Sequence, residues 1–226
     1  MENSRRDEPR YVDCSHTIHD GLVTYRGLPA TVIADHLSRV ASRGHYAPGT
    51  EFQISRIEMV ASTGTYLDCP FHRYEDGKDV AGVALEDMVD LKGTVVRAER
   101  RTGRAIGLEF FEGQEILNRA VLVHTGWDRH WETEKYFEGH PYLTEDVAVY
   151  LCDRGAKLVG IDSMNIDDTR GKTRPVHSIL LRAGILIVEH MCRLEKLPDD
   201  GFTFSAVPPA FKGVGSFPVR AYARIG

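Results

Sequence analysis

Lys157-Leu158-Val159-Gly160-Ile161-Asp162 and Ile185-Leu186-Ile187-Val188-Glu189 are two short apolar runs, separated by a segment that opens on Pro175 and closes on Gly184. Each run has the length and the branched aliphatic content of a strand buried on both faces. Pro175 is a natural first helical residue, because the N–H it lacks would find no partner in a first turn. Gly184 suits a helix stop, so 175–182 is predicted to be a helix. Strand, helix and strand in that order imply a right-handed crossover and parallel pairing. Immediately upstream, a second helix is predicted over about 144–154. Thr144 supplies its N-cap, Glu145 and Asp146 suit the positive first turn, and Gly155 ends it. Ala120-Val121-Leu122-Val123-His124-Thr125-Gly126-Trp127 is a third apolar run of the buried-strand kind. The tail therefore reads as α/β with a mixed sheet.

The rest of the chain adds shorter elements. Tyr11 to Ile18 reads as a first strand, and the Gly- and Pro-broken segment from Asp20 to Pro29 as a loop. A short helix is expected over 35–43, with Leu37, Val40 and Ala41 on one side and Gly44 at its end. Phe52 to Ala61 reads as a half-buried strand, since Ile57, Met59 and Ala61 alternate. Helical turns are expected near 85–88 and 108–111, a buried strand at Val95 and Val96, and closing strands over 202–207 and 219–225 joined by a Pro- and Gly-rich loop. Residues 1–10 are polar and charged and are expected to be poorly ordered. Residues 11–226 are expected to form a single domain, without internal repeat or linker.

Composition narrows the function. The 33 acidic and 28 basic side chains give a net charge of −5 and are scattered along the chain. No electrostatic footprint for nucleic acid results, and a small-molecule partner is expected. The apolar runs fall far short of the ~20 residues of a membrane span, and the first residues lack the apolar core of a signal peptide, so the chain reads as cytoplasmic. The 4 cysteines form no C-x-x-C pair and are expected to be free thiols. Gly171-Lys172-Thr173 mimics the end of a phosphate-binding loop, but Ile166 stands where that motif needs glycine.

Chemistry concentrates in Ser62-Thr63-Gly64-Thr65-Tyr66-Leu67-Asp68-Cys69-Pro70-Phe71-His72, which gathers a hydroxyl, a phenol, a carboxylate and an imidazole. In an extended chain Ser62, Gly64, Tyr66, Asp68 and His72 have the same parity and face the same side. Taken alone, Asp68 as a turn cap, Tyr66 as a core aromatic and His72 as a surface imidazole account for the stretch equally well. It resembles, however, the signature H-x-G-T-H-x-D-x-P-x-H of the cyclase-family metal-dependent hydrolases, the group of the bacterial kynurenine formamidases and isatin hydrolase. Gly64, Thr65, Asp68, Pro70 and His72 match it, whereas Ser62 and Tyr66 stand in place of its two leading histidines. Pro175-Val176-His177 and Val188-Glu189 resemble the family's remaining metal-binding positions, and Tyr25 its substrate-facing aromatic.

The resemblance implies a swivelling β/β/α-like fold and an amidase-type hydrolase acting on a small amide or a cyclic imide or lactam. Asp68, His177 and Glu189 would hold one divalent metal per chain, Zn or Mn. His72 would move protons, Tyr66 would donate to the developing oxyanion or fill the volume of a vanished first metal, and Tyr25 and Ser62 would line the substrate pocket. It also implies a homodimer or homotetramer. Alternative readings are a divergent relative that binds a small molecule without hydrolysing it, and a cyclase or dehydratase.

Overall fold

The computed structural model describes residues 9–226. In chain order its elements are β1 (Arg10–Asp13), β2 (Val32–Leu37), α1 (Arg39–Ser42), β3 (Ile54–Glu58), β4 (Tyr66–Asp68), β5 (Leu91–Arg97), β6 (Ala105–Ile106), β7 (Arg119–His124), β8 (Tyr142–Leu143), α2 (Glu145–Asp153), β9 (Leu158–Ile161), α3 (Pro175–Arg182), β10 (Leu186–Glu189), β11 (Phe202–Ser205), β12 (Ser216–Pro218) and β13 (Tyr222–Ile225). The disorder expected over 1–10 lies outside the described residues except at Pro9 and Arg10, and Arg10 already belongs to β1.

Nine strands form one mixed sheet in the order β1-β13-β11-β5-β7-β9-β10-β4-β12. Its centre, β5-β7-β9-β10, is parallel, as the strand, helix, strand tail requires. Antiparallel strands flank it on both sides. Alternate residues of the central strands serve two different cores. Val121, Val123, Val159, Ile161 and Ile187 pack against Val147, Ala148 and Leu151 of α2 and Val176, Leu180 and Leu181 of α3. Ala120, Leu122, Leu158, Leu186 and Val188 share the opposite core with Val12, Leu67, Phe204 and Ala223 of the flanking strands. Among the described residues no α-helix covers that side, and the sheet curls so that its own outer strands cover the second face.

Two expectations fail between residues 32 and 61. The helix expected over 35–43 is mostly strand: β2 runs to Leu37, and only the single turn α1 follows, with Ala41 N donating to the Ser38 hydroxyl at 3.1 Å. The helical spacing of Leu37, Val40 and Ala41 loses to the pairing of β2 with β3. Nor is the strand before the signature half-buried. β3 pairs only with β2 in a separate two-stranded ribbon, and Ile57 on it is 58% exposed. β12, within the Pro- and Gly-rich closing segment, was not foreseen. It pairs with β4.

Gly93 in β5 marks how tightly the outer strands close over the sheet, since a Cβ there would lie 2.0 Å from Cε2 of Phe202. Gly93→Ala should therefore destabilise the protein by about 1–3 kcal/mol, the usual cost of overpacking a filled core. Urea unfolding measures it; an unchanged midpoint would show that the Phe202 ring moves aside freely.

Candidate active site

The register of β4 assembles the site. β4 lies between β10 and β12, antiparallel to both, with Tyr66 opposite Glu189 and Asp68 opposite both Ile187 and Ser216. Directly opposed residues present their side chains on one face. Ile187 packs beneath α3, so the face that carries Tyr66, Asp68, Glu189 and Ser216 is the one that α3 covers with His177. The common parity read for Ser62 to His72 holds only for Tyr66 and Asp68. Gly64 turns the chain with φ +65°, and Pro70–His72 is a single 3₁₀ turn. Another glycine, Gly215, makes room for that turn, since a Cβ there would sit 2.5 Å from the backbone N and Cα of His72.

Two hydrogen-bond chains fix the imidazoles. The Ser216 hydroxyl donates to Asp68 Oδ1 and lies 2.8 Å from His72 Nδ1. A hydroxyl has one proton, and here the carboxylate takes it. His72 must then donate through Nδ1–H, which leaves Nε2 as its basic atom. Asp167 does the same for His177. It accepts the backbone N–H groups of Val176 and His177 at 2.8 and 3.0 Å, capping α3, and accepts from His177 Nδ1 at 2.6 Å. His177 Nε2 consequently points at Asp68 Oδ2 (3.5 Å) and Glu189 Oε1 (3.6 Å).

Glu189 is fully buried and heavily solvated by protein donors. Oε1 accepts from Ile166 N at 2.6 Å, and Oε2 accepts from Tyr66 Oη at 2.5 Å and Asn165 Nδ2 at 3.4 Å, with Tyr25 Oη 3.2 Å away and nearer to its other acceptor, Met164 O, at 2.9 Å. Burial foremost, and then the Glu189 charge, push both phenols well above the ordinary tyrosine range, so they remain donors. The single Tyr66 proton is directed at Glu189. In this arrangement the phenol acts on that carboxylate.

The donor set fits a divalent cation. Ligand atoms of Asp68, His72 and His177 all lie within 4.8 Å of one another, with Glu189 Oε1 beside His177. Asp68 Oδ2 is buried and has no hydrogen-bond partner, which is costly unless a positive charge satisfies it. Burial by itself would lower the His177 pKa, yet the Glu189, Asp167 and Asp68 carboxylates outweigh it and drive it upward. In the absence of a cation the imidazole must carry the missing positive charge. Imidazole and carboxylate oxygen suit Zn or Mn, whereas the Ser62 and Tyr66 hydroxyls are poor ligands.

Above these groups lies a cavity of about 210 Å³ lined by Tyr25, Leu28, Ser62, Tyr66, His72, Arg73, Asn165, Arg174 and His177. Every site residue expected from the sequence, Tyr25, Ser62, Tyr66, Asp68, His72, His177 and Glu189, thus borders or underlies one place. Cys69 faces away from it towards Gly215 O, and burial pushes its thiol up to about 11. His16 lies outside this set, its ring stacked on Trp131 with centroids 4.0 Å apart. Sequence reasoning missed Asp167, Ser216 and Asn165. Asp167 stands in the polar run Asn165-Ile166-Asp167-Asp168, where nothing local says which carboxylate turns inward. Ser216 lies where only a connecting loop was read.

The chain has relatives among known proteins. Residues 12–168 match the family described as "Putative cyclase". The chain is 30% identical to the kynurenine formamidase of Bacillus cereus over 173 residues, covering 76% of this chain and 79% of the relative. It is 29% identical to that of Geobacillus thermodenitrificans over 185 residues, covering 81% and 85%. Isatin hydrolase A from Labrenzia aggregata superposes with a TM-score of 0.81 over 96% of this chain and 94% of its own. At 20% identity that likeness speaks for the fold alone.

Asp167→Asn weakens the hold on His177 without changing its size. Metal affinity measured by chelator competition should fall about 10- to 100-fold, as for other second partners of metal-bound histidines. An unchanged affinity would show that His177 is oriented by something else.

Proposed function

The chain belongs to the cyclase family, and on that premise we propose that it is a metal-dependent hydrolase of small amides, of the formamidase type, cleaving C–N bonds other than peptide bonds. The observation that carries the reading is the buried, partnerless Asp68 Oδ2 facing His177 Nε2, beside an imidazole whose tautomer is already set for proton transfer. Of the donors gathered here, Asp68, His177 and Glu189 would hold the metal, one ion per chain, leaving His72 for proton transfer, and Zn and Mn are the ions their chemistry suits. When bound, such an ion polarises the scissile carbonyl and lowers the pKa of water towards ~7.

The chain's own groups supply the remaining steps. His72 Nε2 accepts a proton from the attacking water as the new C–O bond forms. It returns that proton to the amide nitrogen as the C–N bond breaks, so a carboxylic acid and an amine leave. Ser216 keeps the imidazole in the required tautomer throughout. Tyr66 and Asn165 hold Glu189, and Tyr25, Leu28 and Ser62 shape the pocket. In Tyr66 the family's imidazole gives way to a phenol bound to Glu189, which supports one metal in place of two.

The exposed apolar residues of the β2–β3 ribbon, with Val32, Ile33, Ile54 and Ile57 all open to solvent, support at least a homodimer, because an isolated two-stranded ribbon is marginal in water. Light scattering of the purified protein should give a mass of two or four chains, and a monomer would contradict this. Among the described residues no helix is long and apolar enough to cross a membrane. The four free cysteines fit a cytoplasmic setting.

His72→Ala should lower amide turnover by about 10²- to 10⁴-fold, the usual worth of general acid–base catalysis, while metal content stays intact. Ser216→Ala should lower kcat with little change in KM, and Ser216→Thr should restore part of the loss. Loss of metal in His72→Ala, or full activity in either alanine variant, would contradict these roles.

A further inference from the structure

The floor and the mouth of the cavity differ in charge. At the floor, Asp68 and Glu189 are matched by the divalent ion they are read as holding. At the mouth stand two guanidinium groups, Arg73 and Arg174. Neither is paired with a carboxylate among the described residues, and two of the acids close to them in sequence are engaged elsewhere. Asp168 pairs with Arg104 and Arg170, and Asp76 with Arg182. An uncompensated pair of cations at a pocket rim attracts an anion.

Each guanidinium is also anchored at one edge. Arg73 donates from Nε to Ser178 Oγ at 3.1 Å, which leaves both of its Nη groups uncommitted. Arg174 donates only through Nη1, to Thr173 O at 2.7 Å, Gly171 O at 3.0 Å and Asp168 O at 3.5 Å, which leaves Nε and Nη2. The free edges are an end-on and a side-on fork, the two geometries in which a guanidinium takes a planar carboxylate with two parallel hydrogen bonds. Anchoring lowers the entropic cost of using them. Tyr25 and Leu28 provide the wall between rim and floor, and a cavity of about 210 Å³ admits one small compound. That is below the ~300–1,000 Å³ of drug-sized pockets.

We infer that Arg73 and Arg174 form a carboxylate subsite, and that the amide cleaved here carries a carboxylate at the end remote from the scissile bond. This rests on the hydrolase reading of the same site. It also assigns specificity to two side chains outside the signature: the floor cleaves any amide that reaches it, and the rim selects the anionic ones.

The test compares formamidobenzoates, with the carboxylate ortho, meta or para, against their neutral acetyl isosteres as substrates of the metal-loaded protein. At least one acid should exceed its isostere in kcat/KM by roughly 10- to 100-fold, the worth of hydrogen bonds to a charged group. Arg73→Met, at an exposed position, and Arg174→Lys, which keeps charge but not the fork, should each erase most of that advantage of acid over isostere. Calorimetric titration of metal-stripped protein with benzoate separates the rim from binding to the ion, and Arg73→Met should weaken this binding too. Equal rates for acid and isostere, or a preference that survives both substitutions, would overturn the subsite and leave the hydrolase standing. Arg73-dependent benzoate binding without turnover of any probe would support the subsite and count against the hydrolase. Neither turnover nor Arg73-dependent binding at millimolar benzoate would overturn it.

Discussion

Three carboxylates, Asp68, Asp167 and Glu189, are buried around the single imidazole of His177, at 3.5, 2.6 and 3.6 Å from its ring nitrogens. Carboxylates removed from water repel one another and demand compensation. Asp167 finds it in the N–H groups that open α3 and in His177 Nδ1–H, and Glu189 in Ile166 N, Tyr66 Oη and Asn165 Nδ2. Asp68 has Ser216 on one oxygen and no hydrogen-bond partner on the other, which His177 Nε2 faces at 3.5 Å. That remaining oxygen, with His177 Nε2 and Glu189 Oε1 turned toward the same space, is where a divalent cation would balance the charge. Because metal binding takes the place of a proton on His177, affinity is expected to weaken as the pH falls.

The sheet makes this costly cluster possible. β4 is only three residues long, yet its pairing on both sides puts Tyr66 and Asp68 on one face, with Glu189 and Ser216 beside them. A slip of one residue would turn Asp68 into the apolar core that Leu67 occupies. The branched aliphatic residues of β7, β9 and β10 guard against such a slip, since each alternates between two filled cores. α3 docks on the same sheet and delivers His177 from its first turn. The chemistry thus depends on a register that hydrophobic packing sets.

What the sequence made legible follows the strength of local signals. β7, β9, β10, α2 and α3 were readable because apolar period, Pro175, Gly155 and Gly184 agree with one another at those places. The ribbon was misread because Leu37, Val40 and Ala41 mimic a helical face, while the pairing of β2 with β3 is a non-local choice. Asp68, His72, His177 and Glu189 were legible through resemblance, and their convergence then followed from topology. Asp167 and Ser216 were not, because each works through a partner distant in sequence: Ser216 is 148 positions from Asp68. Tyr66 shows the remaining limit. Its departure from the signature was plain, but its attachment to Glu189 depends on the β4–β10 register.

The central claim is that one divalent ion sits against Asp68 Oδ2. Elemental analysis of the purified protein after dialysis against a weak chelator, run beside Asp68→Asn, tests it directly. The account predicts close to one Zn or Mn per chain in the native protein and almost none in the variant. A native protein without metal, or a variant that keeps it in full, would contradict the account.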